Sequence, residues 1–260
     1  MSLIAHNVSL LESDTYRLKH INCEFSSGHL TVIIGPNGSG KSSLIKVLAG
    51  EIRPTEGGVS LEGVALADWA PLELAKRRGV LAQQAVLDFP FQVREVVALG
   101  RSPYRRAPLK DARLIDQAMA LFDISQFSDR FYTTLSGGER QRVHLARVWV
   151  QLSDFETGIT RYILLDEPTS ALDLKHQGEL MLLLKSTLKR QPMGAVVVLH
   201  DLNAAALHAD QLILLRQGEV IACGTREQVL SRENIERAYN IEVDILAYQA
   251  SERQAILIPE

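Results

Sequence analysis

The sequence predicts an α/β core interrupted by a helical insertion, and two observations carry that prediction. Short apolar runs of strand length alternate with helical patterns at both ends of the chain. Between them, from Val93 to about Leu152, apolar residues recur at three- and four-residue spacing, the period of a helix. Strand–helix alternation on both sides of a helical block is the pattern of a layered sheet that carries an insert. The 260 residues suffice for a sizeable core, and neither a tandem repeat nor a low-complexity linker divides them. One compound domain over residues 1–260 is expected, with its helical part at about 85–152.

Taken in order, apolar runs place strands near Leu3–Leu10, Asn22–Phe25, Leu30–Ile34, Val59–Leu61 and Gly79–Ala82. Helices follow at Val93–Gly100, Ala112–Phe122 and Gly137–Gln151. Strands return at Tyr162–Leu165, Ala195–Leu199, Leu212–Leu215 and Glu219–Ala222, alternating with helices at Leu174–Lys189 and Asn203–His208. The tail reads as helical turns at Arg226–Leu230 and Glu233–Tyr239, then a strand-like Ala255–Ile258.

Composition narrows the function classes. Apolar residues make up 46%, a normal globular share, and the net charge of −3 argues against a general nucleic-acid binder. Cys23 and Cys223 are far apart in sequence and both fall in strand-like runs, so they read as small buried hydrophobes with no partner nearby rather than as a disulfide or metal site. That usage fits a reducing cytosol. No N-terminal apolar stretch resembles a signal peptide, and the longest apolar runs are far short of the roughly 20 residues of a spanning helix. The chain is expected to be soluble by itself, with any membrane role exercised through a partner.

Three motifs carry chemistry. Gly35-Pro36-Asn37-Gly38-Ser39-Gly40-Lys41-Ser42 matches G-x-x-x-x-G-K-S between a buried-strand run and an apolar-rich helical run, Ser43–Ala49. Its glycines let backbone N–H groups curl around one anion, and the following helix adds its positive end. Lys41 supplies charge to the β- and γ-phosphates, and the Ser42 hydroxyl is a Mg²⁺ ligand. No Asn-Lys-x-Asp or Thr-Lys-x-Asp sequence follows, which disfavours guanine as the base. The second motif, Tyr162-Ile163-Leu164-Leu165-Asp166-Glu167, is an apolar strand ending in two acids. Ligands collect at the C-terminal ends of strands in open α/β sheets. Asp166 is therefore placed to hold the Mg²⁺ shell, and Glu167 to orient or deprotonate an attacking water.

Leu135-Ser136-Gly137-Gly138-Glu139-Arg140-Gln141 is the third motif and the most specific. Ser136 is a good N-cap, and two glycines allow close backbone approach to a second anion-binding helix terminus. One nucleotide does not easily use two separated helix termini of one subunit, so a second copy of the chain is implied.

In this order, with Ser170-Ala171-Leu172-Asp173 and a lone His200 after a strand, the motifs resemble those of ATP-binding-cassette ATPases over nearly the whole chain. The resemblance implies a P-loop ATPase core with an N-terminal antiparallel β subdomain and an inserted helical subdomain, using ATP and Mg²⁺. It implies a homodimer in which Ser136, Gly137, Gly138, Glu139 and Gln141 of one subunit face the nucleotide held by residues 35–42 of the other. Ser170–Asp173 would be the loop crossing between subunits, Glu167 the catalytic carboxylate and His200 the residue that contacts the γ-phosphate. Gln83, or Gln84 beside it, would sense Mg²⁺ and the attacking water. The family stacks adenine on an aromatic residue near Leu11 or Glu12 here; neither is aromatic, and Tyr16 is the nearest candidate.

A lone cassette with no spanning segment resembles an importer subunit that docks on two transmembrane permease subunits and, through them, serves a periplasmic cargo-binding protein. Such a subunit is peripheral, at the cytoplasmic face of the bacterial inner membrane. Soluble cassette proteins of translation or DNA repair carry fused cassettes or long coiled coils, and this chain has neither. Val93–Arg106 resembles the import group serving iron-siderophores, haem and cobalamin. Within it, Arg101, Arg105 and Arg106, with Lys110 and Arg113, read mostly as a solvated basic face. The long connection Ser153–Arg161 resembles haemin-importer ATPases, with ferric-siderophore or cobalamin import as the runner-up.

Overall fold

The protein is described by a computed structural model covering residues 2–82, 87, 89–155, 158–247 and 254–257. Strands β1 (Ser2–Glu12) and β2 (Thr15–Ser26) form an antiparallel hairpin. Ser13 and Asp14 turn it with φ of 47° and 62°, both in the left-handed region that a tight hairpin turn requires. Then come β3 (Leu30–Ile34), α1 (Lys41–Leu48), β4 (Glu56–Leu61), β5 (Val64–Ala65), α2 (Pro71–Arg77) and β6 (Arg78–Leu81). The helical block holds α3 (Val93–Ala98), α4 (Pro108–Leu121) and α5 (Gly137–Leu152). It is followed by β7 (Arg161–Asp166), α6 (Leu174–Leu188), β8 (Met193–Val198), α7 (Leu202–His208), β9 (Gln211–Arg216) and β10 (Glu219–Gly224). The tail supplies α8 (Arg226–Val229), α9 (Arg232–Tyr239), β11 (Asp244–Ala247) and β12 (Gln254–Leu257).

Six strands form the central sheet in the order β10-β9-β3-β8-β7-β6, parallel except for the edge strand β10. Every residue of β3, β7 and β8 is buried, which explains their continuous apolar runs: each of these strands is covered on both faces. Alternate residues serve different layers. Ile33, Leu164, Val196 and Ile213 pack toward α1 and the four-stranded sheet β2-β1-β4-β5. Val32, Ile163, Leu165, Val197 and Leu212 pack into the core shared with α3, α4, α5 and α6. The architecture is thus an α/β core with an N-terminal antiparallel sheet and inserted helices.

Several elements differ from expectation for physical reasons. β2 starts at Thr15, well before Asn22, because it is an edge strand whose polar residues face outward and dilute the apolar signal. α4 starts at Pro108: proline suits the first helical position, and Asp111 accepts a hydrogen bond from Ala107 N at 3.0 Å. α2 buries only Leu74, too little for a visible period. Arg101, read as part of a solvated face, is buried against Asp111 (2.8 Å) and Asp154 (3.2 Å). Cys23 is buried as expected, but Cys223 is exposed, its Sγ 3.6 Å from Gln211 Nε2. Neither forms a disulfide.

Candidate nucleotide site

The site begins where β3 ends. From Ile34 the chain enters the loop 35–40 and leaves it as α1, which starts at Lys41. Two glycines are required by geometry. Gly35 has φ +148° and a Cβ there would lie 2.2 Å from Leu215 O; Gly40 has φ +104° and its Cβ would meet Arg17 O at 2.6 Å. Gly40 caps α1 without a side-chain acceptor, so the first N–H groups of the helix are left for an anion. Lys41 is almost fully buried, and its Nζ donates to Gly35 O (2.7 Å) and Pro36 O (2.9 Å). Burial pulls its ammonium below the usual range, against the opposing charges of Glu167 and Asp166.

β7 delivers the two acids to the same place. Asp166 is 2% exposed, and its carboxylate is bonded to the Ser42 side chain. Its Oδ1 has no hydrogen-bond partner. Burial first, then the neighbouring Glu167, raises its carboxyl above the ordinary value, while the Ser42 bond opposes. A buried carboxylate oxygen without a partner beside a hydroxyl fits a hard dication such as Mg²⁺, which prefers oxygen ligands. Glu167 has φ 51°, a left-handed conformation that costs about 1–3 kcal/mol in a non-glycine residue and is common at functional positions. Its carboxylate Oε1 lies 2.6 Å from His200 Nε2, just beyond the end of β8. Glu167 and His200 line a cleft of about 620 Å³ together with Asn37, Gly38, Ser39, Gly40, Lys41 and Ser42.

The third motif is held elsewhere. Ser136 caps α5: its hydroxyl accepts from Glu139 N (3.4 Å), and Glu139 Oε2 accepts from Ser136 N (2.7 Å). Gly138 packs against the 170–173 loop, where an added Cβ would lie 2.8 Å from Ala171 O. Gln141 Nε2 donates to Pro168 O at 3.0 Å, tying the helix to the segment after Glu167. In that loop the Ser170 hydroxyl donates to Glu167 O (3.0 Å), Leu172 is buried, and Asp173 caps α6 by accepting from His176 N (2.9 Å). The structure therefore joins residues 136–141 to the 170–173 loop, whereas none of residues 136–141 is among the residues that line the P-loop cleft.

Gln83 and its neighbour Gln84 lie outside the described residues. Two residues of the cleft were not anticipated. Glu12 and Arg17 form its wall near the hairpin turn, salt-bridged at 2.9 Å, whereas Tyr16, which pairs across the hairpin with Leu11, is not among the lining residues. Arg17 thus offers a planar guanidinium, able to stack on a ring, close to where an aromatic residue was expected. No motif marks it, since an arginine on an edge strand is ordinary.

Residues 18–170 match the ABC transporter family. A "Hemin import ATP-binding protein HmuV" from Gloeobacter violaceus is 42% identical over 248 residues, covering 95% of this chain and 90% of the relative. A protein of the same name from Nocardia farcinica is 43% identical over 242 residues, covering 92% and 81%. Among solved structures, a dimeric post-hydrolysis state of the ATP-binding cassette MJ0796 bound to ADP and Pi superimposes with a TM-score of 0.75 at 28% identity, covering 86% of this chain and 98% of that one. The chain belongs to the ABC transporter family and is its ATP-binding, ATP-hydrolysing cassette.

Proposed function

We propose that this cassette energises haemin import, binding Mg·ATP at two sites between the subunits of a head-to-tail homodimer. One domain, 1–260, would do this, with its helical part at about 85–152. The observation that carries the catalytic reading is the Glu167–His200 pair, 2.6 Å apart at the cleft that also holds the P-loop. Glu167 takes the proton of the attacking water. His200 holds the carboxylate in position and reaches toward the γ-phosphate. Lys41 and the N–H groups of the loop and of α1 hold the phosphates. Ser42 and Asp166, with Gln83, would bind Mg²⁺, which screens phosphate charge when bound. Ser136, Gly137, Gly138, Glu139 and Gln141 act on the nucleotide of the opposite subunit, and Ser170–Asp173 spans the interface.

The cargo reading is supported by the two relatives named for hemin import, which match nearly the whole chain. Among the described residues no helix is long and apolar enough to cross a membrane. The spanning part falls to two permease subunits, with this chain peripheral at the cytoplasmic face of the bacterial inner membrane. A periplasmic binding protein presents the cargo. ATP-dependent uptake into vesicles holding this ATPase and its cognate permease tests the reading, each cargo being supplied on its binding protein. Haemin uptake is expected. Uptake of a ferric siderophore or cobalamin, with none of haemin, would overturn the cargo and leave the ATPase chemistry standing.

A further inference from the structure

Just past the 170–173 loop, His176 forms a junction that the assigned chemistry does not use. Asp173 caps α6, and its Oδ1 accepts two bonds from His176, one from the backbone N (2.9 Å) and one from ring Nδ1 (2.8 Å). The backbone bond first, then the ring, hold the Asp173 carboxyl below its ordinary range. On the other side of the ring, Nε2 lies 3.3 Å from Arg142 Nη1. Arg142 is on α5, one residue after Gln141, and the same Nη1 donates to Asp123 O (2.7 Å) and Asp123 Oδ2 (3.2 Å). The ring is thus wedged between the loop and the helical part of the chain.

These contacts fix where the ring carries its hydrogen. An ionised carboxylate only accepts hydrogen bonds, and a guanidinium only donates them. Nδ1 therefore holds the hydrogen that faces Asp173, and Nε2 keeps its lone pair for Arg142. A charged ring would set two donors against each other at 3.3 Å. Asp123 Oδ2 lies 3.8 Å from the same Nε2, and Lys175 and Glu179 of α6 line the cleft of about 580 Å³ that His176 also lines. The loop leads back to the chemistry. The Ser170 hydroxyl donates to Glu167 O, and Gln177 Nε2, next to His176, donates to Thr169 O (3.1 Å) and Leu172 O (2.8 Å). From α5, Gln141 reaches Pro168 O. Residues 168–173 are held by α6 on one side and α5 on the other, directly after Glu167.

We propose that His176, as the neutral Nδ1–H tautomer, is a positioning residue that passes the position of α5, through Arg142, to Asp173 and the loop after Glu167. It acts through that loop and not on the nucleotide. The inference rests on the reading of Glu167 as the base and of residues 170–173 as the loop between subunits, and it is independent of the cargo. Small shifts at such a distance matter, because a misplacement of about 1 Å can cost about 10² in rate.

The full chain is tested by spectroscopy and by kinetics. With isotope-labelled histidine, nitrogen NMR of the wild type at neutral pH should show one ring, identified by its loss in a His176 variant, with Nδ1 protonated and Nε2 bare. An Nε2–H tautomer or a charged ring at His176 would overturn the proposal. His176→Asn keeps a donor for Asp173 and His176→Gln keeps an acceptor for Arg142, so each preserves one arm. Each should lower kcat by about ten- to a hundredfold with KM for ATP little changed, since the P-loop is untouched. Wild-type kcat in either variant would mean that the arm it lacks transmits nothing, and the proposal falls; a change carried by KM alone would overturn it too. Glu167→Gln, assayed beside them, separates the two levels. Full turnover there overturns the catalytic reading and this inference with it. Lost turnover there, with full turnover in the His176 variants, overturns this inference alone. If one variant fails to fold, the other and the wild-type spectrum still decide.

Discussion

Glu167 shows what one position contributes when backbone and side chain agree. The left-handed φ of 51° turns the chain immediately after β7, and the carboxylate meets His200 at 2.6 Å. A positioned base contributes about 10²–10⁴ in rate, so Glu167→Gln should lower phosphate release by that order. Binding of ATP, followed with a fluorescent analogue, should be retained because the P-loop is untouched; unchanged turnover would remove Glu167 from the mechanism. The acids were legible in sequence because four apolar residues precede them and place them at a strand end. The bond from Glu167 to His200 was not legible, since it joins the ends of two strands, β7 and β8, through side-chain rotamers that no local pattern records. Glu12 and Arg17 were invisible for a related reason: only the hairpin's placement against the P-loop makes them part of the cleft.

At the scale of elements, α5 is held at both ends. Its N-terminus is the capping box of Ser136 and Glu139, fully written in the sequence. Its C-terminus is held by charges that the sequence left ambiguous. Arg101 is buried and bonds Asp111 and Asp154, while Lys110 also pairs with Asp154 at 2.7 Å and Tyr104 donates to Gln151 O at 2.7 Å. The Arg161 guanidinium donates to Asp154 O as well. Spacing alone reads Arg101 as one more basic surface residue, because its partners lie 10 and 53 positions away. Removing one member of a buried pair costs about 3–5 kcal/mol, since the other charge remains without its partner. Arg101→Ala should therefore lower the urea midpoint far more than Arg105→Ala on the exposed side; equal effects would mean that the network contributes little. Burial pushes the Asp154 carboxyl up, but the bonds from Lys110 and Arg101 outweigh it and hold the group below its usual value. With a folded value below the unfolded one, this stability is present above the unfolded value and is lost as pH falls through the folded one. Wild type should accordingly lose more stability than Arg101→Ala between neutral pH and acid, which matched urea titrations at two pH values would measure.

At the scale of the whole molecule, the two helix ends proposed to bind phosphate lie at separate places. α1 opens on the P-loop cleft, while α5 is capped by the exposed Ser136 and packed through Gly138 against the loop at Ala171. One subunit thus presents a phosphate cradle at one place and an exposed cap at another, and the proposed head-to-tail dimer would complete both sites. The sequence made this division legible because each motif is local; the contact between residues 136–141 and 170–173 needed the fold, as it packs α5 against the turn after β7. Lys41→Ala removes the phosphate charge and Ser136→Arg blocks the cap, so each variant alone should hydrolyse poorly. Mixed in equal amounts, they form dimers in which one composite site carries both lesions and the other carries none. Phosphate release should therefore reappear on mixing and track the fraction of mixed dimer. If the cap served the nucleotide of its own subunit, every site in every dimer would carry one lesion and mixing would restore nothing. The double variant Lys41→Ala/Ser136→Arg mixed with wild type gives the complementary result. In that mixed dimer both composite sites are damaged if the cap acts across the interface, and one remains intact if it does not, so the loss of turnover on titration separates the two arrangements.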